Sequence, residues 1–114
     1  MNSSKDECLF CRINPNDLVA EGKFCYAVTD SFPVTEFHML IIPKRNVANY
    51  FDLNSSEACA MHEMLLEMKK TIETKDDSVT AFNIGVNAGE DAGQTIFHVH
   101  VHLIPRRKGD VENP

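Results

Sequence analysis

The run His98-Val99-His100-Val101-His102-Leu103-Ile104 constrains this chain more than any other segment. Side chains of a β-strand alternate between two faces, so His98, His100 and His102 are expected on one side while Val99, Val101 and Leu103 enter a core on the other. The rise of ~3.3 Å per residue sets neighbouring imidazoles roughly 7 Å apart. Imidazole titrates near neutral pH, which suits it to nucleophilic attack, anion binding, metal ligation or proton transfer. From the residues alone the row is compatible with a solvated polar face, with ligands of a divalent metal, or with a reactive site. Three donors spaced by two on a straight strand reach one zinc ion, at ~2.1 Å each, only with distortion, whereas two do so readily.

The flanking pattern predicts an α+β domain with an antiparallel sheet of about five strands, one long helix and a short N-terminal helical turn. Cys8 to Ile13 is a compact apolar cluster broken by Asn14-Pro15-Asn16-Asp17, which reads as that helical turn. Leu18 to Ala20 and Phe24 to Thr29 flank Glu21-Gly22-Lys23 as a hairpin, and Asp30 to Glu36 is an irregular crossing. Phe37 to Ile42 reads as a buried strand stopped by Pro43. Asn54 and Glu57 form a capping pattern ahead of Ala58, Met61, Leu65, Met68 and Ile72, the apolar stripe of a helix reaching about Thr71 to Thr74. Val79 to Asn87 reads as a strand, Ala88 to Gln94 as a glycine-bearing turn, and Thr95 to Ile104 as the histidine strand.

At 114 residues the chain is expected to be a single domain, 1–114, large enough to remove roughly two thirds of its unfolded surface from water. A formal charge of −6 disfavours a nucleic acid polymer as partner, because such binding neutralises several phosphates with Lys and Arg. No apolar run reaches the ~20 residues that span a bilayer. Residues 1–7 lack the apolar segment of a secretory signal. The expectation is therefore a cytoplasmic protein with no membrane partner, in which Cys8, Cys11, Cys25 and Cys59 are reduced.

The histidine run resembles the signature of the histidine triad (HIT) superfamily, His-φ-His-φ-His-φ-φ with φ aliphatic. The likeness extends to Cys8-Leu9-Phe10-Cys11-Arg12-Ile13, to Asp30 through Arg45, to Asn87 through Thr95 and to His98 through Arg106, in the family's order. It is greatest for the Hint-like branch of small homodimeric nucleotide hydrolases and transferases. The resemblance implies hydrolysis at the α-phosphate of a nucleotide conjugate, either a dinucleoside polyphosphate or a nucleoside phosphoramidate, through a nucleotidyl-histidine on His100. Neutral imidazole is a good nucleophile, and a covalent intermediate divides one hard displacement into two easier ones. By the same likeness His102 and His38 contact the non-bridging oxygens, where donors act electrostatically. Thr95 would hydrogen-bond the leaving group, Gln94 and the Gly93 backbone would line the phosphate approach, the Asn87 amide would contact the phosphate or the leaving-group side, and Asp30 would accept from the ribose. Leu9, Phe10, Ile13 and Val28 match base-pocket positions of a purine nucleotide site, and are equally ordinary core residues. No metal is required by that chemistry. A nucleotidyl transferase, or a nucleotide-binding regulatory protein using the same pocket without turnover, is the alternative.

The resemblance also implies a structural zinc through Cys8, Cys11 and His98. Relatives of this type place a fourth ligand, histidine, just after the Ile-Pro-Lys run; here that residue is Asn46. Without metal, Cys8 and Cys11 are a pair of reduced thiols. His62 lies outside every motif, and the basic clusters Lys44-Arg45 and Arg106-Arg107-Lys108 are solvated faces or steer a polyphosphate tail.

Overall fold

Period-two burial of apolar residues organises the sheet. In the computed structural model, which describes residues 15–111, the strands are β1 (Leu18–Glu21), β2 (Cys25–Thr29), β3 (Met39–Pro43), β4 (Val79–Gly85) and β5 (Val101–Arg107). They form one antiparallel five-stranded sheet in the order β1-β2-β3-β5-β4. Helix α1 (Ser55–Lys75) connects β3 to β4. The helical turn expected over Cys8 to Ile13 lies outside the described residues, and a 3-10 turn at Pro15–Asp17 occupies part of the expected break.

Helix α1 covers one face of the sheet. Its Met61, Met64, Met68 and Ile72 share a core with Cys25, Ala27, Met39, Ile41, Val99, Val101 and Leu103. Met64 joins the stripe beyond the expected residues, and Leu65 packs against this core as expected while lining, with Ala58, Tyr50, Ile84 and Val86, a cavity of about 430 Å³ toward edge strand β4. On the opposite face Tyr26, Val28, Leu40 and Ile42 form a second cluster. The register pairs Val28 with Leu40 and Leu40 with His102, so an apolar row leads across three strands to a histidine.

Several expected boundaries move, for identifiable reasons. Phe37 adopts a left-handed backbone (φ 71°), and the His38 N–H bonds Thr35 O at 3.2 Å, so β3 begins at Met39 and not at Phe37. Pro43 is the last residue of β3, one past the expected end at Ile42. Lys44 N–H bonds Phe24 O at 2.8 Å, which turns the missing N–H of position 43 away from β2, on the side where pairing with β5 ends at Ile41. The histidine strand begins at Val101, not Thr95, because His98 O accepts from the His100 ring and Val99 N–H bonds Val47 O. It runs on to Arg107, three residues past the expected end at Ile104, by pairing with β4. Strand β4 stops at Gly85, two residues short of Asn87, and β2 starts one residue later than Phe24.

The start of α1 is a full capping box. Glu57 N–H donates to Asn54 Oδ1 at 2.8 Å and Asn54 N–H donates to Glu57 Oε1 at 2.9 Å. Replacing Asn54 by Ala is expected to destabilise the protein by about 1 kcal/mol, read as a lower urea midpoint at unchanged denaturant slope.

Candidate active site

Three elements converge on the site: the start of β5, the start of β3 and the crossing from Asp30 to His38. The crossing is tied down at both ends. Asp30 N–H bonds His38 O at 3.0 Å, Thr35 Oγ1 donates to Pro105 O at 2.7 Å, and Arg107 Nη2 donates to Glu36 O at 3.2 Å. Asp30 Oδ1 accepts from Phe32 N–H at 2.8 Å, which turns Oδ2 toward the histidines.

Backbone groups assign the ring protons. A backbone N–H can only donate, so the Val34 N–H at 3.0 Å from His38 Nδ1 makes that nitrogen an acceptor and leaves the proton on Nε2. His38 Nε2–H in turn donates to His102 Nδ1 at 2.9 Å, with Asp30 Oδ2 also 3.4 Å away. The His102 proton therefore resides on Nε2. His100 Nδ1 lies 2.9 Å from His98 O, and a carbonyl can only accept, so the proton is on Nδ1 and the lone pair on Nε2. His98 Nε2–H donates to Pro43 O at 2.8 Å, which puts the His98 lone pair on Nδ1. The His100 and His102 rings meet edge-on at a centroid distance of 5.4 Å.

All these rings favour neutrality where a shift is resolved. Burial pushes His38 below its ordinary 6.5, against an opposing pull from Asp30 and with help from Arg106. Burial does the same to His102, reinforced by His100 and His38, and to His98, opposed by the Pro43 carbonyl.

His38, expected to contact a phosphoryl oxygen, sits deep in the site. His38 is 3% exposed, and both its nitrogens are engaged by Val34 and His102. It stands behind His102 and orients it. Gln94, expected to line the phosphate approach, is likewise 3% exposed and braces the loop: Gly89 N–H donates to its Oε1, and its Nε2 donates to Ala48 O and Ile96 O. Gly93 is required for its left-handed backbone (φ 94°), and the Asn87 amide sits beside it. Gly85 pairs with His102, which sends Asn87 toward the His100 end of β5, while Thr95 is exposed between Gln94 and His98. Val28 is buried in the cluster beside His102. Leu9, Phe10, Ile13, Cys8 and Cys11 lie outside the described residues.

Asp30, His38 and His102 bring potential ligand atoms within 4.8 Å of one another. A metal there would meet the Nε2 proton of His38, which cannot move to Nδ1 without opposing the Val34 N–H. The trio suits a hydrogen-bond chain. His98 differs, since a lone pair on Nδ1 with the other nitrogen donating to a carbonyl is the state that zinc ligation demands.

The HIT domain profile matches residues 12–109. The chain belongs to the HIT family. Over 88 residues, 77% of this chain, it is 42% identical to the asymmetrical bis(5'-nucleosyl)-tetraphosphatase of Schizosaccharomyces pombe, of which it covers 48%. It is 34% identical over 110 residues to the adenylylsulfatase HINT3 of Arabidopsis thaliana, covering 93% of this chain and 55% of that protein. The chain thus spans about half the length of these two relatives. A Zn-bound histidine triad protein from Mycobacterium smegmatis superposes with a TM-score of 0.84 at 29% identity, over 95% of this chain and 80% of the other. Among the described residues of this HIT protein, no helix is long and apolar enough to cross a membrane.

The depressed histidines link stability to pH. A ring whose folded pKa lies below 6.5 binds fewer protons than in the unfolded chain, so its stabilising effect is full above 6.5 and is lost as pH falls toward the folded value. The urea midpoint is expected to drop on acidification below pH 6.5, and His38→Gln to flatten that drop; an unchanged slope in the variant would contradict the assignment.

Proposed function

We propose that this HIT protein hydrolyses a purine nucleotide conjugate at the α-phosphate, with His100 as nucleophile. The observation that carries the reading is the His100 Nδ1–H bond to His98 O, which puts the lone pair on Nε2. Attack forms a P–N bond as the bond to the leaving group breaks. The ring becomes a cation, and the hydrogen bond from Nδ1–H to the carbonyl strengthens with that charge. A phosphate leaving group departs as an anion, while an amine takes a proton relayed from water by the Thr95 hydroxyl. Water then attacks phosphorus, the P–N bond breaks, and nucleoside monophosphate and neutral His100 are regenerated with release of the water's proton.

His102 presents Nε2–H to a non-bridging oxygen, backed by His38. Asp30 accepts from the ribose, and Val28 with Leu9, Phe10 and Ile13 encloses the base. The activities for which the two relatives are named, on bis(5'-nucleosyl) tetraphosphates and on adenylyl sulfate, support a nucleotide conjugate as the substrate. Release of nucleoside monophosphate from diadenosine tetraphosphate, adenosine phosphoramidate and adenylyl sulfate tests the reading. His100→Ala is expected to lower turnover by at least about a thousandfold and to abolish an acid-labile nucleotidyl adduct detected by mass. Nucleotide binding without turnover of any of the three would favour the regulatory alternative.

A structural zinc on Cys8, Cys11 and His98 belongs to the same reading, supported by the His98 tautomer and by the Zn-bound relative. It supplies rigidity and no catalytic step. Elemental analysis of protein purified without added zinc is expected to give one equivalent per chain, and a value well below that defeats the assignment.

A homodimer completes the proposal. β4 is an edge strand, and Ile84, 61% exposed, lines the α1 cavity together with the half-exposed Tyr50, leaving apolar surface at this edge of the sheet. Light scattering should give twice the chain mass, and Ile84→Asp should shift it toward the monomer.

A further inference from the structure

The carboxylate of Glu57 is only 3% exposed, and an isolated charge at such depth is costly. Its partner is Arg45. Arg45 Nε and Nη2 donate to Glu57 Oε2 and Oε1, both at 2.8 Å, and Nη2 donates to Asp52 O at 3.1 Å. This fork ties the segment after β3 to the first turn of α1.

That segment is the template for the residues leading into His100. Pro43 O accepts from His98 Nε2 at 2.8 Å, Val47 O accepts from Val99 N–H at 2.8 Å, and Ala48 O accepts from Gln94 Nε2 at 2.7 Å. His98 O then holds His100 Nδ1. No regular ladder supports this stretch, since β5 begins only at Val101. Its geometry is inherited from residues 43–48.

We infer that Arg45 is a positioning residue for His100, acting through its fork on Glu57 and the template segment 43–48. The inference rests on the reading of His100 as the nucleophile. A shift of the template moves His98 O, and with it the direction of the His100 lone pair, while Asp30, His38 and His102 keep their own anchors on the crossing segment. Loss of the fork therefore falls on kcat more than on KM.

The test compares Arg45→Met, Arg45→Lys and Asn54→Ala in the full chain. Asn54→Ala weakens the cap of the same helix without removing Arg45 from Glu57, and so reports a purely structural effect. Arg45→Met is expected to lower kcat on diadenosine tetraphosphate by about tenfold with KM within about twofold. Arg45→Lys, which keeps the charge but not the fork, should fall between it and wild type. The second readout is the ¹⁵N spectrum of the His100 ring, where Arg45→Met should erode the Nδ1–H tautomer that wild type and Asn54→Ala retain. Wild-type ring signals in Arg45→Met, or equal losses of kcat in Asn54→Ala, overturn the inference. If the wild-type chain turns over no conjugate, the nucleophile reading fails, while the ring signals still decide whether Arg45 sets the tautomer.

Discussion

A main-chain amide hydrogen cannot accept and a main-chain oxygen cannot donate; the chemistry of this site depends on that asymmetry. Val34 fixes the proton on His38, His38 fixes it on His102, His98 fixes it on His100, and Pro43 fixes it on His98. Imidazole in water exchanges between tautomers, and a side-chain partner such as asparagine could satisfy either one. Backbone partners do not adapt. His38, His98 and His100 are each given one donor and one lone-pair position by such a partner and His102 by way of His38, and the two rings nearest the proposed reacting phosphorus receive opposite assignments. His100 carries a lone pair on Nε2, and His102 carries a proton there.

Holding His38 in that chain requires a conformation that its neighbour resists. Phe37 sits at φ 71°, a left-handed backbone that costs a residue with a side chain roughly 1–2 kcal/mol. The turn is what brings the His38 N–H to Thr35 O and the ring to Val34 N–H. Glycine would adopt it without strain. Phe37 compensates by packing against the core under α1, with the Lys75 ammonium 6.0 Å from its ring. Strain at this point and packing around it are two aspects of one local solution, and Thr35 Oγ1 on Pro105 O keeps the crossing from relaxing away.

The alternation of His98 through Leu103 was readable because only one face of that stretch is apolar, and Val99, Val101 and Leu103 do enter the core. The same pattern overstated the strand. Side-chain alternation reports which way residues point, whereas a strand is defined by where its backbone bonds go, and His98 O and Val99 N–H go elsewhere. The place of His38 in the site was less legible for a related reason. Motif spacing brings His38 and His102 together but carries no information on which stands in front, and burial behind His102 decides it. Gln94 illustrates the point again, since a polar residue in a glycine-rich turn reads as a ligand contact until its amide is seen bonded to Gly89, Ala48 and Ile96. Arg45 read as part of a solvated basic cluster because its partner Glu57 lies across a connection that sequence does not fold.

The neutrality of His38 and His102 bears on how an acidic chain would meet the phosphate of the proposed substrate. With a formal charge of −6, a site built on cations would compete with the protein's own field, and His102 could be held protonated only against its burial and its histidine neighbours. Neutral N–H donors avoid that conflict. In the proposed reaction His100 presents the lone pair that its Nδ1–H bond to His98 O leaves on Nε2. When the ring acquires charge in the proposed adduct, the compensating dipole is already in place as the His98 carbonyl, so stabilisation appears with the charge and needs no reorganisation. Burial that looks like a penalty on His38 and His102 is the condition that keeps this pair available as a neutral N–H donor.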